Sequence, residues 1–95
     1  MGTFHSGKGE LHGITVVVDT LGSRVYIGRC WEMDDRQIVL VDVDEHEEGD
    51  GGRSKDDFIR RAARVGPWKK HDRVVLPRSQ VGSVKPLGAI PTGRE

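Results

Sequence analysis

Gly28 lies in the middle of the longest segment with β-strand character, and this position limits the folds open to the chain. The segment runs from Ser23 to Met33 and places Tyr26, Gly28 and Cys30 on one face, because side chains alternate along a strand. Glycine weakens a strand interior unless the strand bends sharply or another backbone approaches it closely. Small β-barrels need such a bend, so Gly28 favours a strongly bent sheet over a flat one.

The other strand candidates are short runs of β-branched residues separated by turn residues, a pattern typical of small all-β domains. In the second run, Met33 rather than Glu32 is the next apolar residue after Trp31, which predicts a β-bulge. The predicted strands are Ile14–Thr20, Ser23–Met33, Gln37–Glu45, Arg73–Leu76 and Val81–Val84.

One helix is predicted between the third and fourth strands. Ser54 is suited to cap its start, with Asp57 three residues later, and Gly66-Pro67 ends it. A helix of about three turns is too short to persist alone, so it needs to pack on the sheet. The apolar positions that recur at helical spacing are Phe58, Ile59, Ala62 and Val65.

The chain of 95 residues is long enough for one domain with one modest core. We predict a flexible leader over residues 1–12, a five-stranded bent antiparallel barrel over residues 13–86, and a loose tail over residues 87–95. The helical insertion occupies residues 53–66 of the barrel. A core this thin favours oligomerisation, because a neighbour buries surface that the monomer leaves in water.

The charges of the chain sum to zero but are unevenly distributed. Residues 1–52 carry eleven acidic residues against four Lys or Arg, and residues 53–78 carry nine Lys or Arg against three acidic residues. This division indicates either a basic binding face or two complementary faces of a self-assembling subunit. The single cysteine, Cys30, excludes an internal disulfide, and no apolar run approaches the ~20 residues of a membrane span. We therefore expect a cytoplasmic protein that has no membrane partner.

No pattern of catalytic or metal-binding residues is recognisable. The acidic stretch from Asp42 does not match a helix–loop–helix calcium site, because Arg53 occupies the twelfth position, where a glutamate is needed. There is no Ser/His/Asp order and no phosphate-cradling loop with its Lys-Ser/Thr pair. We expect neither enzymatic activity nor a metal or other cofactor.

The sequence resembles the Sm/LSm family of small β-barrels, which includes the bacterial Sm-like proteins. The similarity covers roughly residues 13–45 and 73–85. The first family motif is similar to Val16, Val18, Gly22, Tyr26-x-Gly28-x-Cys30, Met33-Asp34 and Ile38-x-Leu40-x-Asp42-Val43. The second is similar to Val74-Val75-Leu76-Pro77-Arg78 followed by Val81-x-x-Val84. The resemblance implies a mainly β fold, a five-stranded, strongly bent antiparallel SH3-like or Sm-like barrel with one short helix inserted between strands 3 and 4.

The resemblance also implies an assembly mode. In that family a ring forms when the fourth strand of one subunit pairs with the fifth strand of the next. A homo-oligomer of this chain, such as a ring, would use the strand edges at Val74, Val75, Leu76, Val81 and Val84.

The sequence departs from the family at the positions that contact RNA. Gln37 stands near the place of the family's RNA-contacting Asn, and Arg78-Ser79 replaces its Arg-Gly pair. Residues 46–72 replace a connection that is usually short. The resemblance therefore implies assembly more directly than it implies RNA binding.

Two loops form the first candidate nucleic-acid site. In an Sm-like ring they would converge at the pore, where Arg78 could contact a phosphate and Gln37 a base edge. Alternatively, Asp34 caps a tight turn and pairs with Arg78 as a surface ion pair. The candidate residues are Asp34, Asp35, Arg36, Gln37, Arg78 and Ser79.

The helix and the segment after it form a second, basic candidate face. Its cations could bind phosphates and its tryptophan could stack on a base. The alternatives are a solvated helix face and a docking surface for a neighbour's acidic loop. The residues are Arg60, Arg61, Arg64, Trp68, Lys69 and Lys70.

Three functional hypotheses remain open. The leading one is a non-enzymatic Sm-like module for assembly or protein interaction, with RNA as a further partner at loop 34–37 and turn 77–80. The second is an RNA-binding Sm-like chaperone. The third is a barrel of the photosynthetic-reaction-centre type, which shares the strand lengths and the apolar-Pro turn and predicts protein interaction without RNA.

Overall fold

The computed structural model describes residues 11–90, so residues 1–10 of the predicted leader and residues 91–95 of the predicted tail lie outside the described part. One α-helix and five strands are present in it. They are β1 Thr15–Thr20, β2 Arg24–Met33, β3 Gln37–Glu47, α1 Lys55–Val65, β4 His71–Pro77 and β5 Val81–Pro86. The predicted mainly β chain of five antiparallel strands, with a helix between the third and fourth, is confirmed.

All five strands belong to one antiparallel sheet in the order β4-β3-β2-β1-β5. The edge strands β4 and β5 are joined by the single 3-10 turn Arg78–Gln80. Four residue steps span at most ~14 Å, whereas the edges of a flat five-stranded sheet lie ~19 Å apart at ~4.8 Å per strand. The sheet must therefore curl, so that its two edges approach each other at this turn.

Gly28 lies at an irregularity in the pairing of β2 with β3. The pairing register between β2 and β3 shifts between Ile27 and Arg29, on either side of this glycine. A Cβ atom at residue 28 would lie 3.1 Å from the carbonyl oxygen of Val41, so the neighbouring backbone lies where a larger residue's side chain would be. On the facing strand, Asp42 has a φ of 53°, which marks the same irregularity. The close backbone approach predicted at Gly28 is confirmed.

A second register shift lies between Cys30 and Glu32, which makes Trp31 the extra residue of a β-bulge. The carbonyl oxygen of Trp31 lies 2.6 Å from Nδ1 of His12, and the two rings are 5.1 Å apart. The bulge predicted from the change of phase in this strand is confirmed.

The sheet is covered on both faces by apolar side chains. Side chains alternate along β1, so Val16 and Val18 point to one face and Val17 to the other. The inner cluster contains Val16, Val18, Cys30, Ile38, Leu40, Val43 and Leu76. The outer cluster contains Val17, Val25, Ile27, Phe58 and Ala62. Helix α1 supplies Phe58 and Ala62 to the outer cluster. It therefore covers the outer face of the sheet and shields that half of the core from water.

Helix α1 begins where the sequence predicts. The Oγ atom of Ser54 accepts a hydrogen bond of 3.1 Å from the backbone N–H of Asp57, and Gly66, with a φ of 92°, ends the helix. Phe58 is buried as expected. The expectation that Val65 packs on the sheet is wrong: it is the last helical residue, and 64% of its surface is exposed.

Three strands differ from the predicted ones by two residues at one end: β3 ends at Glu47, β4 begins at His71 and β5 ends at Pro86. β3 continues to Glu47 because its last residues pair with the start of β2, where Arg24 and Glu45 form an ion pair of 3.1 Å. β4 begins at His71, opposite Val43, rather than at Arg73. Within the predicted loose tail, residues 87–89 form a 3-10 turn whose Leu87, with Ile90, packs on the outer cluster. No helix within residues 11–90 has both the length and the apolar character needed to cross a bilayer.

Candidate functional site

The predicted oligomer edges lie on the two edge strands of the sheet. In β4, Leu76 is buried and Val74 is half-buried, and both contact the inner cluster. Val75 points to the opposite face and is 47% exposed. In β5, Val81 and Val84 are half-buried against the same inner cluster. These apolar residues therefore connect each edge to the core, and Val75 is the member that remains accessible.

Each edge strand has one strand neighbour within residues 11–90: β4 pairs with β3, and β5 pairs with β1. The other side of each strand carries backbone N–H and C=O groups that can pair with an added strand. Ser83 and Lys85 are exposed on β5, and Arg73 is exposed on β4. The described domain therefore has two backbone edges at which a further strand can pair.

The loop before β3 and the turn before β5 come together, as the first nucleic-acid hypothesis requires. The backbone N–H of Arg78 donates to the carbonyl oxygen of Arg36 over 2.9 Å. The guanidinium of Arg78 donates through Nη1 to the carbonyl oxygen of Asp34 over 3.2 Å. Arg36 and Arg78 are both exposed, so two guanidinium groups lie in one small surface region.

Asp34 shapes this loop. Its Oδ1 atom accepts hydrogen bonds from the backbone N–H groups of Arg36, at 2.8 Å, and Gln37, at 2.9 Å. These bonds lower the pKa of the Asp34 carboxyl below its ordinary value of 3.8, and the nearby charges of Arg36 and Arg78 act in the same direction. The alternative reading, in which Asp34 caps the turn, thus describes its side chain correctly, while Arg78 contacts its carbonyl oxygen rather than its carboxylate.

The remaining members of the first candidate site face different surroundings. Asp35 is exposed, and Gln37 is half-buried at the start of β3. Ser79 instead lines a cavity of about 420 Å³ together with Gln80, Leu21 and Tyr26. The candidate site is therefore centred on Arg36 and Arg78, with Ser79 directed to the neighbouring cavity.

The second candidate face divides into engaged and unengaged cations. Lys69 pairs with Asp72 at 2.7 Å and with Asp42 at 3.6 Å, which raises the pKa of Lys69 above its ordinary value. Arg60 lies 4.0 Å from Asp56. Within residues 11–90, Arg61 and Arg64 make neither an ion pair nor a hydrogen bond through their side chains. The free positive charge of this face therefore belongs to the arginines of α1.

Trp68 lies on a groove that we call the Trp68 groove, with a volume of about 370 Å³. Trp68 is among the most exposed large apolar residues of the described chain, at 71%. The groove runs between α1, the end of β3 and the segment before β4. It is lined by Asp44, His46, Asp50, Gly51, Arg53, Phe58, Arg61, Trp68, Lys69 and Lys70.

Two buried polar residues, which the sequence does not single out as a pair, hold this groove together. Asp44 is 5% exposed and accepts hydrogen bonds of 2.9 Å from the backbone N–H groups of Glu45 and Trp68. His46 stacks on Phe58 with the ring centres 4.7 Å apart, and its Nε2 lies 2.8 Å from the carbonyl oxygen of Arg53. The only sequence pattern that indicates Asp44 and His46 as buried positions is the alternation of apolar and polar residues along β3.

Among the described residues, no group of three or more His, Cys, Asp and Glu side chains is arranged to hold a metal ion. Cys30 is buried, and this burial raises the pKa of its thiol, which disfavours the reactive thiolate.

The fold and these contacts define a small one-sheet β domain with a helix on its outer face and two sheet edges that pair with no further strand within residues 11–90. No protein-family model and no curated protein matches the sequence. A chain in the crystal structure of the NatC complex bound to CoA is similar in fold, with a TM-score of 0.53 and 20% sequence identity. The match covers 79% of this chain and 77% of that chain. At this identity, the likeness extends to the fold alone.

Proposed function

We propose that the protein is a non-enzymatic assembly module, an Sm-like bent barrel that joins other subunits through the edges of its sheet. The observation that carries the proposal is the strand order β4-β3-β2-β1-β5, which leaves the fourth and fifth strands at the two ends of the sheet. These are the strands that pair between subunits in the Sm/LSm family, which the sequence resembles. The similar chain from the NatC structure comes from a multi-subunit complex, which agrees with a role in assembly.

The two edges differ in sequence, so pairing of β4 with β5 of another copy would be head-to-tail. Such an interface either closes into a ring or continues as a filament, depending on the rotation between neighbours. The exposed Val75 would gain burial in this interface.

The experiment is a mass measurement of the full chain by light scattering over a range of concentrations. We expect a multiple of the 10.5 kDa subunit mass. Val75→Lys places a charge at the β4 edge and should shift the mass toward the monomer. Val65→Lys is the matched control, because this exposed valine lies on α1, away from both edges. A monomer at high concentration refutes self-assembly, and equal effects of the two variants refute the β4 edge.

A second candidate function is RNA binding at the loops that contain Arg36 and Arg78. The observation in its favour is their convergence, since Arg78 bonds to the main chain of the opposite loop. In a head-to-tail ring, these loops would repeat once per subunit and line one rim.

Filter binding of labelled poly-U and poly-A at two salt concentrations tests this second function. RNA contact predicts binding that weakens steeply with salt, because phosphate contacts release counterions. Arg78→Gln should weaken binding and reduce the salt slope by about one, while Arg64→Gln on α1 serves as the control. Absence of binding at low salt would favour the protein-interaction barrel of the photosynthetic-reaction-centre type over an RNA-binding one.

A further inference from the structure

We propose that the Trp68 groove binds a nucleotide, with the base stacked on Trp68 and the phosphate held by Arg61. The site is built by the helix and the segment that follows it, and it uses no residue of either sheet edge. It is therefore independent of the assembly function proposed above.

The first argument is an exposed tryptophan on an anchored main chain. The Trp68 side chain is 71% exposed, yet its backbone N–H donates to Oδ2 of the buried Asp44 over 2.9 Å. Its main chain is thus anchored to β3 while its ring faces the groove. Stacking of a base on such a platform requires little further ordering of the main chain, and aromatic platforms of this kind bind bases irrespective of sequence.

The second argument is the charge of the groove walls. Four cations and two carboxylates line the groove. The carboxylate of Asp44 is already engaged by two backbone N–H groups and lies 3.8 Å from Lys70. Lys69 is engaged by two aspartates. Arg61 lines the same groove and makes no ion pair or hydrogen bond within the described residues, so its planar guanidinium is available for two parallel bonds to a phosphate.

The third argument is the volume of the Trp68 groove and the aromatic residues at its base. A volume of about 370 Å³ lies at the lower end of the roughly 300–1,000 Å³ of small-ligand sites. Phe58 and His46, stacked at 4.7 Å with planes 10° apart, form an aromatic floor. This combination of aromatic surface and an unpaired arginine fits one base joined to one phosphate. A free nucleotide and one unit of a single strand share this chemistry.

The test is titration of the ¹⁵N-labelled full chain with AMP and, separately, with an eight-residue oligoadenylate. The chain has two tryptophans, so the indole N–H signal of Trp68 is assigned by its loss in Trp68→Phe. We expect this signal to move with both probes. Trp68→Ala should weaken binding roughly 5- to 150-fold, the range for loss of a stacking platform.

Arg61→Gln and Arg64→Gln form the matched pair, since both arginines are exposed on α1 and only Arg61 lines the groove. Arg61→Gln should weaken binding about tenfold or more, and Arg64→Gln less than about twofold. Tighter binding of the oligomer than of AMP identifies a single strand as the source, and equal affinity identifies a free nucleotide.

Three results would overturn the proposal. The first is no shift of the Trp68 signal at millimolar concentrations of either probe, and the second is equal effects of the two arginine variants. The third is binding of poly-glutamate that is as tight as the binding of the oligoadenylate. Val75→Lys separates this site from edge assembly, because it should change the oligomeric mass while leaving the AMP affinity unchanged.

Discussion

Gly28 and Val43 approach each other so closely that a Cβ atom on residue 28 would lie 3.0 Å from Cγ2 of Val43. Val43 is fully buried in the inner cluster and has no room to move away. We expect Gly28→Ala to lower the free energy of unfolding by about 1–3 kcal/mol, the cost of overpacking a core. Thermal unfolding would show this as a lower midpoint, by roughly 4–8 °C per kcal/mol for a domain of this size.

Gly22→Ala is the control for that substitution. A Cβ atom at residue 22 would meet only Oγ1 of Thr20, at 3.9 Å, an ordinary contact. Its midpoint should stay unchanged or rise slightly, because alanine restricts the unfolded chain. Equal midpoints for the two variants would show that the close packing at Gly28 does not restrict the residue at this position.

Lys55, the first residue of α1, connects the helix to the end of β1 and to the turn that follows it. Its Nζ atom lies 2.7 Å from Oδ1 of Asp19 and donates to the carbonyl oxygen of Gly22, also over 2.7 Å. The side chain is 18% exposed and that of Asp19 is 43% exposed, so solvent screens part of the interaction. We expect Lys55→Gln to lower the free energy of unfolding by about 1–2 kcal/mol, measured by urea denaturation.

Lys85→Gln makes the same chemical change at an exposed position of β5 and should alter the free energy of unfolding by less than about 0.5 kcal/mol. If the two variants unfold at the same urea concentration, the contact between Lys55 and Asp19 contributes nothing to holding the helix on the sheet.

The close approach at Gly28, the bulge and the helix could be predicted from the sequence because each depends on local chemistry. Gly28 is an unfavourable residue for a strand interior, Trp31 breaks the two-residue period, and Ser54 caps a helix wherever its hydroxyl meets a free N–H. The signals lie within a few residues of the feature they specify. These features are found where they were predicted.

The Trp68 groove could be predicted only as a basic face, because its architecture depends on contacts distant in sequence. Asp44 holds the backbone of Trp68, 24 residues away, and nothing in the composition of β3 identifies that partner. The acidic residues at the end of β3 also resemble a solvated loop until their pairing with β2 is known. Contacts between residues distant in sequence therefore determine the structure of this region, which the local composition does not specify.

Asp44 is expected to be the most important polar residue for the segment that carries Trp68. Asp44→Ala leaves the N–H of Trp68 without its acceptor, which should cost about 1–3 kcal/mol of unfolding free energy. Hydrogen exchange of that N–H should also become faster. Asp72→Ala, at a side chain 88% exposed, should change both quantities little. Unchanged exchange at Trp68 in Asp44→Ala would show that the segment is held by other contacts.

Asp34 should make the stability of the domain depend on pH in the acidic range. Its pKa is lower in the folded protein than the ordinary value of 3.8, chiefly because two backbone N–H groups bond to the carboxylate. The charged form therefore stabilises the fold above that ordinary value, and this stabilisation is lost as the pH falls through the lower folded-state pKa. Asp34→Asn should be less stable than the unaltered chain at pH 7 and should lose less stability between pH 5 and pH 2, as followed by thermal unfolding.

Asp35→Asn is the control, since this neighbouring exposed carboxylate accepts no hydrogen bond from the described residues. Parallel stability curves for Asp34→Asn and the unaltered chain would contradict the role of the cap, and an NMR titration of the Asp34 carboxyl carbon with a midpoint at or above 3.8 would contradict its cause.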